Sequence, residues 1–481
     1  MQILHISAEC YPAAKVGGLG DVVGALPKYL NALGVSTGVL IPKYKTKWIE
    51  SQTFSPVYQG STWLHNHNVW FRIEKLESTD LGFPLFVANI PDYFDRPGIY
   101  NDPAGYSYGD EIRRFMSFQQ AALQWIIQSP GKPQIIHCHD HQVGIIPFMM
   151  KYCPEYNWAL GNTPTVFTIH NGEYHGTFGW DKMYLLPHFE NFARGVLDWK
   201  NAITPLAAAI KSSWRITTVS PSYLEELKSS SGGLEPLLIH EQHKSIGIIN
   251  GIDAAVWDPK TDPYISDTLK RSVSAFKKKN KETLKSSFPL NMALPLVTFI
   301  GRLAKEKGAD MIPDLVHSIM HSGLDVAIAI LGTGDPDLHG SLAYLNHLYP
   351  GRFHARLEYN EGLAHQLYAG SDFLLMPSRV EPCGLNQMYA MAYGTVPIVR
   401  SVGGLKDTVI DMGEPDGSGC GFRFNNFTIH DAHTSIYRAT QLYKDTKALN
   451  EVREKIMALD FSWEASAKAY KNVYDELLGL I

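Results

Sequence analysis

Short apolar runs, each followed by a stretch with helical apolar spacing, recur in two series along the chain, and no other feature restricts its fold so much. The first series holds Gly38-Val39-Leu40-Ile41, Pro84-Leu85-Phe86-Val87-Ala88, Gln134-Ile135-Ile136-His137-Cys138, Thr165-Val166-Phe167-Thr168-Ile169 and Arg215-Ile216-Thr217-Thr218-Val219. A polar, lysine-rich stretch around residues 270–285 precedes the second series. That series holds Leu296-Val297-Thr298-Phe299-Ile300, Val326-Ala327-Ile328-Ala329-Ile330-Leu331, Phe353-His354-Ala355-Arg356, Phe373-Leu374-Leu375-Met376 and Val396-Pro397-Ile398-Val399. Such alternation predicts an α/β fold with mostly parallel sheets covered by helices. At 481 residues the chain exceeds one ordinary core. Two doubly wound domains are therefore expected, with the ligand in the cleft between them, facing the carboxyl ends of both strand sets.

Ahead of the first series, Met1-Gln2-Ile3-Leu4-His5-Ile6-Ser7 reads as a buried strand that turns into a helix through Lys15-Val16-Gly17-Gly18-Leu19-Gly20-Asp21. A glycine turn lets backbone approach a diphosphate, and a helix start favours an anion. Lys15 adds a mobile cation. Two glycines also serve simply to make a tight turn, and Val402-Gly403-Gly404-Leu405 repeats the pattern before another helix. Gly18-x-Gly20-x-x-x-Gly24 resembles a dinucleotide fingerprint, which requires an acidic residue about 20 positions on. Here the second strand runs into Pro42-Lys43-Tyr44 instead, and a Walker loop is absent.

A formal charge of −5 provides no basic footprint, so nucleic acid is not expected as a partner and an anionic ligand must meet local cations. The five cysteines have no metal-ligand spacing and suit a reducing compartment. No apolar run approaches the length of a membrane helix and no charged-then-apolar leader opens the sequence, so a cytoplasmic location without membrane contact is expected. His137, His139 and His141 alternate, which would place them on one face of an extended segment and raises zinc as one reading. The other reading makes these histidines structural, with Asp140 a hydrogen-bonding group that faces the cleft. Cys10 and Cys383 are plausible reactive thiols, without a clear base for thiolate catalysis.

The motifs taken together resemble the bacterial and plant-plastid glycogen and starch synthases, glucosyltransferases of the GT-B fold with two Rossmann-like domains. In order they are Lys15-x-Gly17-Gly18-Leu19-x-Asp21, Asp92-Tyr93-Phe94-Asp95-Arg96, His137-x-His139-Asp140, His170-Asn171 and Thr218-Val219-Ser220-Pro221. Asn250-Gly251-Ile252-Asp253, Gly301-Arg302-Leu303-x-x-x-Lys307-Gly308 and Pro377-Ser378-x-x-Glu381-Pro382-Cys383-Gly384-Leu385 follow. Val16 departs from the threonine common after the motif lysine. The resemblance implies a domain over 1–256, a nucleotide-sugar domain over 257–462, and a terminal helix over 463–481 that crosses back to the first.

It also implies retaining transfer of glucose from ADP-glucose, or UDP-glucose, to the non-reducing 4-hydroxyl of an α-1,4-glucan primer, with no metal or other cofactor. Glu381, His170, Arg302, Lys307 and Asp140 are the implied catalytic set. Lys15, Gly17, Gly18, Asn250, Cys383, Gly384 and Leu385 would hold the donor, while Glu9, Asp21 and Tyr93 lie toward the acceptor. Arg302 and Lys307 would stabilise the departing diphosphate, and Glu381 would position the sugar rather than attack it. Two alternatives are another GT-B transferase and a catalytically silent glucan-binding regulator. The combined presence of Lys15, His170, Arg302, Lys307 and Glu381 argues against the silent form. The Lys-x-Gly-Gly-Leu and Asn-Gly-Ile-Asp motifs argue against a different transferase.

Overall fold

The structure, a computed structural model, describes residues 2–103 and 105–480, so Met1 of the expected first strand lies outside the described residues. The chain forms two compact units. The first comprises Met1–Val219, Leu224–Ile249 and Trp463–Ile481, and the second Ser220–Tyr223 and Asn250–Ser462.

In the first unit the strands are β1 (Ile3–Ile6), β2 (Thr37–Pro42), β3 (Phe54–Leu64), β4 (His67–Leu76), β5 (Leu85–Asn89), β6 (Ile135–His139) and β7 (Thr165–Ile169). A small pair, β8 (Asp198–Trp199) and β9 (Ala202–Ile203), stands apart, and β10 (Arg215–Thr218) and β11 (Ser245–Gly247) complete the main sheet. Its order is β11-β10-β7-β6-β1-β2-β5-β4-β3. All pairings are parallel except β3–β4 and β4–β5. Apolar periodicity does not reveal the β3–β4 hairpin, because β3 mixes polar and apolar residues and most of its length is exposed on one face. Strands β1, β2, β6 and β7 are buried along their whole length, as parallel strands covered on both faces must be. Their polar exceptions, including His5, His137, His139 and Thr168, therefore need partners inside the protein.

The terminal helix Trp463–Leu477 belongs to this unit. It sends Trp463, Ala467, Tyr470 and Val473 into a core shared with Ile3, Val22, Leu26 and Ile135. The helix Gly18–Ala32 joins the same core, with Val22, Leu26, Tyr29 and Leu30 buried at helical spacing.

The second unit carries β12 (Leu296–Ile300), β13 (Ala327–Leu331), β14 (Phe353–Arg356), β15 (Phe373–Met376), β16 (Val396–Arg400) and β17 (Phe422–Phe424), all parallel. Their order is β14-β13-β12-β15-β16-β17, the doubly wound Rossmann arrangement, with its switch point between β12 and β15.

The lysine-rich stretch is a packed helix, Val273–Thr283, and two of its lysines are buried. Lys277 donates to the carbonyls of Tyr368 and Tyr393 and to Thr395 Oγ1, and burial pushes its amine well down. Lys281 bonds to Asp372 at 2.6 Å, and Arg453 reaches the other Asp372 oxygen, also at 2.6 Å. Composition alone marks such a segment as a solvated face; only its tertiary partners make burial of these charges tolerable. Among the described residues no helix is long and apolar enough to cross a membrane.

Candidate functional site

In the first unit the sheet order reverses around β1, and the loops after β1, β6 and β7 carry the expected residues. Beyond β1 comes Glu9, which is buried. Its Oε2 accepts the N–H groups of Val16 at 2.6 Å and Gly17 at 3.0 Å, and its Oε1 accepts the Tyr100 hydroxyl at 2.7 Å. Burial pushes the Glu9 carboxyl up, against these hydrogen bonds. Glu9 thus braces the glycine loop from within. This corrects one expectation: the backbone donors of Val16 and Gly17 are turned to Glu9, not left open for a diphosphate.

Gly17 and Gly18 nonetheless leave room. A Cβ added at either would meet no atom within 4 Å, whereas one added at Gly404 would lie 2.1 Å from the Cys383 carbonyl oxygen. The repeated Gly-Gly pattern therefore has two causes. At Gly404 backbone presses on backbone; at Gly17 and Gly18 the space is empty, as a ligand cradle requires. Lys15, half-exposed, pairs with Asp21 at 2.6 Å. Beside the loop lies a cavity of about 610 Å³ lined by Tyr11, Lys15, Trp48, Tyr100 and Asn101 among others. Tyr93 sits on the short helix Pro91–Phe94 with its side chain largely buried, and its carbonyl accepts from Arg114 at 3.0 Å. In the nearby segment 103–108, Ala104 lies outside the described residues, and Tyr106 is exposed.

At the end of β6, Asp140 adopts φ 59° and ψ 174°, a region that strains any residue with a side chain. Its Oδ1 accepts the His170 N–H at 2.7 Å, which ties the end of β6 to the end of β7. Asp140 keeps some exposed surface, yet protein encloses enough of its carboxyl to push it up to about 7. His170 is buried and burial lowers its imidazole to about 3, so the ring is neutral.

The alternating histidines do not all share a face: His141 departs from His137 and His139. The strand ends at His139, the chain turns at Asp140, and His141 begins a 3-10 turn with its Nε2 4.0 Å from Glu111. The third imidazole beside His137 and His139 is His5 of β1, in direct register with His137. Ligand atoms of His5, His137 and His139 lie within 4.8 Å of one another. Every ring nitrogen among them except His5 Nε2 is already hydrogen-bonded: His5 Nδ1 to His139 Nε2 (2.8 Å), His139 Nδ1 to His170 Nε2 (3.0 Å), His137 Nδ1 to the Tyr474 hydroxyl (2.7 Å) and His137 Nε2 to Thr168 Oγ1 (2.6 Å). A metal would have to displace those bonds, so the donor set fits a hydrogen-bonded cluster better than a zinc site.

In the second unit the residues flank the switch point between β12 and β15. Lys307 Nζ donates to both oxygens of Glu381 at 2.7 and 2.8 Å, and Ser378 Oγ donates to Oε2 at 2.9 Å. Lys307 retains partial exposure while Glu381 is nearly buried, so the carboxylate is fixed from two sides and the ammonium keeps one face open. Arg302 differs: it is exposed and pairs with Glu306 at 2.5 Å. Lys15, Arg302 and Lys307 thus each hold a carboxylate.

Gly384 has φ 74°, which explains glycine at the turn that leads through Cys383, Gly384 and Leu385 into the helix Asn386–Ala392. Asn250 is buried and its Oδ1 has no protein partner, an acceptor that a ligand hydroxyl would satisfy. The thiol expectations fail. Cys10 and Cys383 are buried, Cys383 is pushed up to about 12, Cys10 is raised further, and neither holds a reactive thiolate. Tyr100 and His5 are contributors that the motifs do not contain, and Ser378 stands in a motif without an assigned role; a histidine inside an otherwise apolar strand is the available signal for His5.

Two Rossmann-like units with phosphate-suited cations and a fixed carboxylate at strand ends define a glycosyltransferase of the GT-B class. Residues 2–240 match the starch synthase catalytic domain family and residues 280–455 match glycosyl transferases group 1. The chain is 46% identical to a glycogen synthase of Flavobacterium johnsoniae, with 99% of each chain covered. It is 37% identical to a glycogen synthase of Streptococcus sanguinis, covering 99% of this chain and all of that one. Among solved structures it resembles the catalytic domain of starch synthase IV from Arabidopsis thaliana bound to ADP and acarbose, with a TM-score of 0.86, 31% identity and 99% of each chain covered. A sucrose-phosphate synthase from Thermosynechococcus elongatus, at 16% identity and a TM-score of 0.61 over the full length of both chains, shares the fold. The chain belongs to the glycogen and starch synthase family of glucosyltransferases.

Proposed function

We propose that the protein elongates an α-1,4-glucan by retaining transfer of glucose from ADP-glucose to the non-reducing 4-hydroxyl, with UDP-glucose as the second donor possibility. The observation that carries this reading is the Lys307–Glu381–Ser378 cluster at the Rossmann switch point. The adenine donor is supported by the ADP in the Arabidopsis relative. As the sugar–phosphate bond breaks, negative charge grows on the diphosphate and positive charge on the sugar. Fixed cations and dipoles stabilise the first without reorganisation. Lys307 serves this role, joined by Arg302 and Lys15 once they leave Glu306 and Asp21 for the phosphates.

Glu381 holds the donor sugar and stabilises its cationic character, and the leaving phosphate takes the acceptor's proton on the same face. Asn250 and the Cys383-Gly384-Leu385 backbone orient sugar hydroxyls, Gly17 and Gly18 admit the diphosphate, and His170 and Asp140 bond the transferring glucose. Glu9, Asp21 and Tyr93 border the glucan side, Glu9 through the loop it braces. Because cations supply the charge stabilisation, no metal is assigned. Five free, buried cysteines fit a reducing cytoplasm. Purified protein incubated with ADP-glucose or UDP-glucose and a glycogen primer tests the reading: chain elongation faster with ADP-glucose is expected, and no elongation with either donor refutes it.

A further inference from the structure

The histidine chain has a direction. A neutral imidazole carries one N–H and one lone pair, so His139, bonded at both nitrogens to other imidazoles, must donate to one neighbour and accept from the other. Protons therefore run from His5 through His139 to His170, or in reverse through all three rings together. Burial keeps the rings neutral, with His5 and His170 lowered to about 3 and His139 well below its ordinary value.

The far end decides the direction. His5 Nε2 is buried and no protein atom bonds to it. In the reverse direction that atom is an orphaned N–H; in the forward direction it is a bare lone pair, and buried orphan N–H groups are the rarer and costlier of the two. Forward order makes His5 an Nδ1–H donor to His139 Nε2, and His139 an Nδ1–H donor to His170 Nε2. His170 must then carry its own proton on Nδ1.

We infer that His5 and His139 are positioning residues that hold His170 in the Nδ1–H tautomer, so that the nitrogen left to it donates a hydrogen bond to a hydroxyl oxygen of the sugar. His170 accepts from the fold at Nε2 and donates at Nδ1. A free histidine side chain prefers its proton on Nε2, so three successive Nδ1–H rings are not the default state. The ligand's identity rests on the proposed glucosyl transfer, whereas the tautomers belong to the unliganded fold.

The test is a long-range 1H–15N correlation spectrum of full-length protein labelled with [15N]histidine, without substrate, the rings assigned through His5→Gln, His139→Gln and His170→Gln. Nδ1 protonated and Nε2 bare in all three rings is the expected result; an Nε2–H on His139 or His170 overturns the inference. Kinetics provide the second arm. His5→Phe keeps ring volume but removes both nitrogens, and kcat should fall roughly ten- to a hundredfold at unchanged primer KM. His5→Asn keeps a donor near the Nδ1 position and should restore kcat to within about threefold. Full activity in His5→Phe overturns the positioning role. Should His5→Phe not fold, the wild-type spectrum decides alone. A protein that shows the stated tautomers yet transfers no glucose refutes the proposed function and leaves the tautomer assignment standing.

Discussion

Asp140→Asn should make the protein more stable and less active, and the size of the stability change follows from the site. The Asp140 carboxyl is pushed from 3.8 to about 7, chiefly by burial. Each tenfold change in an ionisation constant is worth about 1.4 kcal/mol, so enclosing the ionised group costs at most about 4 kcal/mol, reduced by the surface it keeps exposed. A raised carboxyl favours the fold fully below pH 3.8, and that contribution is lost as pH climbs through about 7. Asparagine has the same shape, retains an acceptor for the His170 N–H, bears the same backbone strain as aspartate and carries no charge to enclose. Calorimetric melting of both proteins from pH 5 to 8 is the assay. The variant's advantage over wild type should be smallest at pH 5 and widen to several degrees, up to roughly 10 °C, at pH 8. Its kcat should drop, since its side chain cannot supply an anionic acceptor to a sugar hydroxyl. Parallel melting curves across this range, or a variant less stable at pH 8, would refute the reasoning.

Lys307→Ala should lower kcat by about a hundred- to a thousandfold while the fold survives, measured as glucosyl transfer beside far-UV circular dichroism; a near-normal rate contradicts the charge-stabilising role. Gly18→Ala should leave Tm unchanged and raise the donor KM about ten- to a hundredfold, because its Cβ enters empty space at the loop. Gly404→Ala should instead destabilise by about 1–3 kcal/mol in denaturant titration, because its Cβ meets the Cys383 carbonyl. Acid should melt the first unit early. His5, His137, His139 and His170 are neutral in the fold but protonate in the unfolded chain, so their contribution holds above pH 6.5 and falls as pH drops below it. Asp140 and Glu9 act in the opposite sense but are two groups against four. A Tm that stays flat between pH 6.5 and 4 would contradict the buried neutral histidines.

Much of the architecture is written locally. A strand buried on both faces must be a continuous apolar run, which is why Thr165–Ile169, Leu296–Ile300 and Phe373–Met376 are legible residue by residue, whereas the exposed β3–β4 hairpin is not. The motifs also name Lys307 and Glu381. What sequence cannot specify is who meets whom. Glu381 reaches Lys307 across 74 positions, and His5 joins His139 across 134, because sheet order places β15 beside β12 and β6 beside β1. The buried lysines at 277 and 281 read as surface charges until their partners appear. Periodicity and turn chemistry act over a few residues, so the buried strands, the glycine turns and the inventory of reactive groups are legible from local order along the chain. Pairing, enclosure and the resulting proton positions depend on distant neighbours, so it is the folded chain that makes Glu9 a brace for the glycine loop, strains Asp140 and sets His170 at the end of a chain of imidazoles.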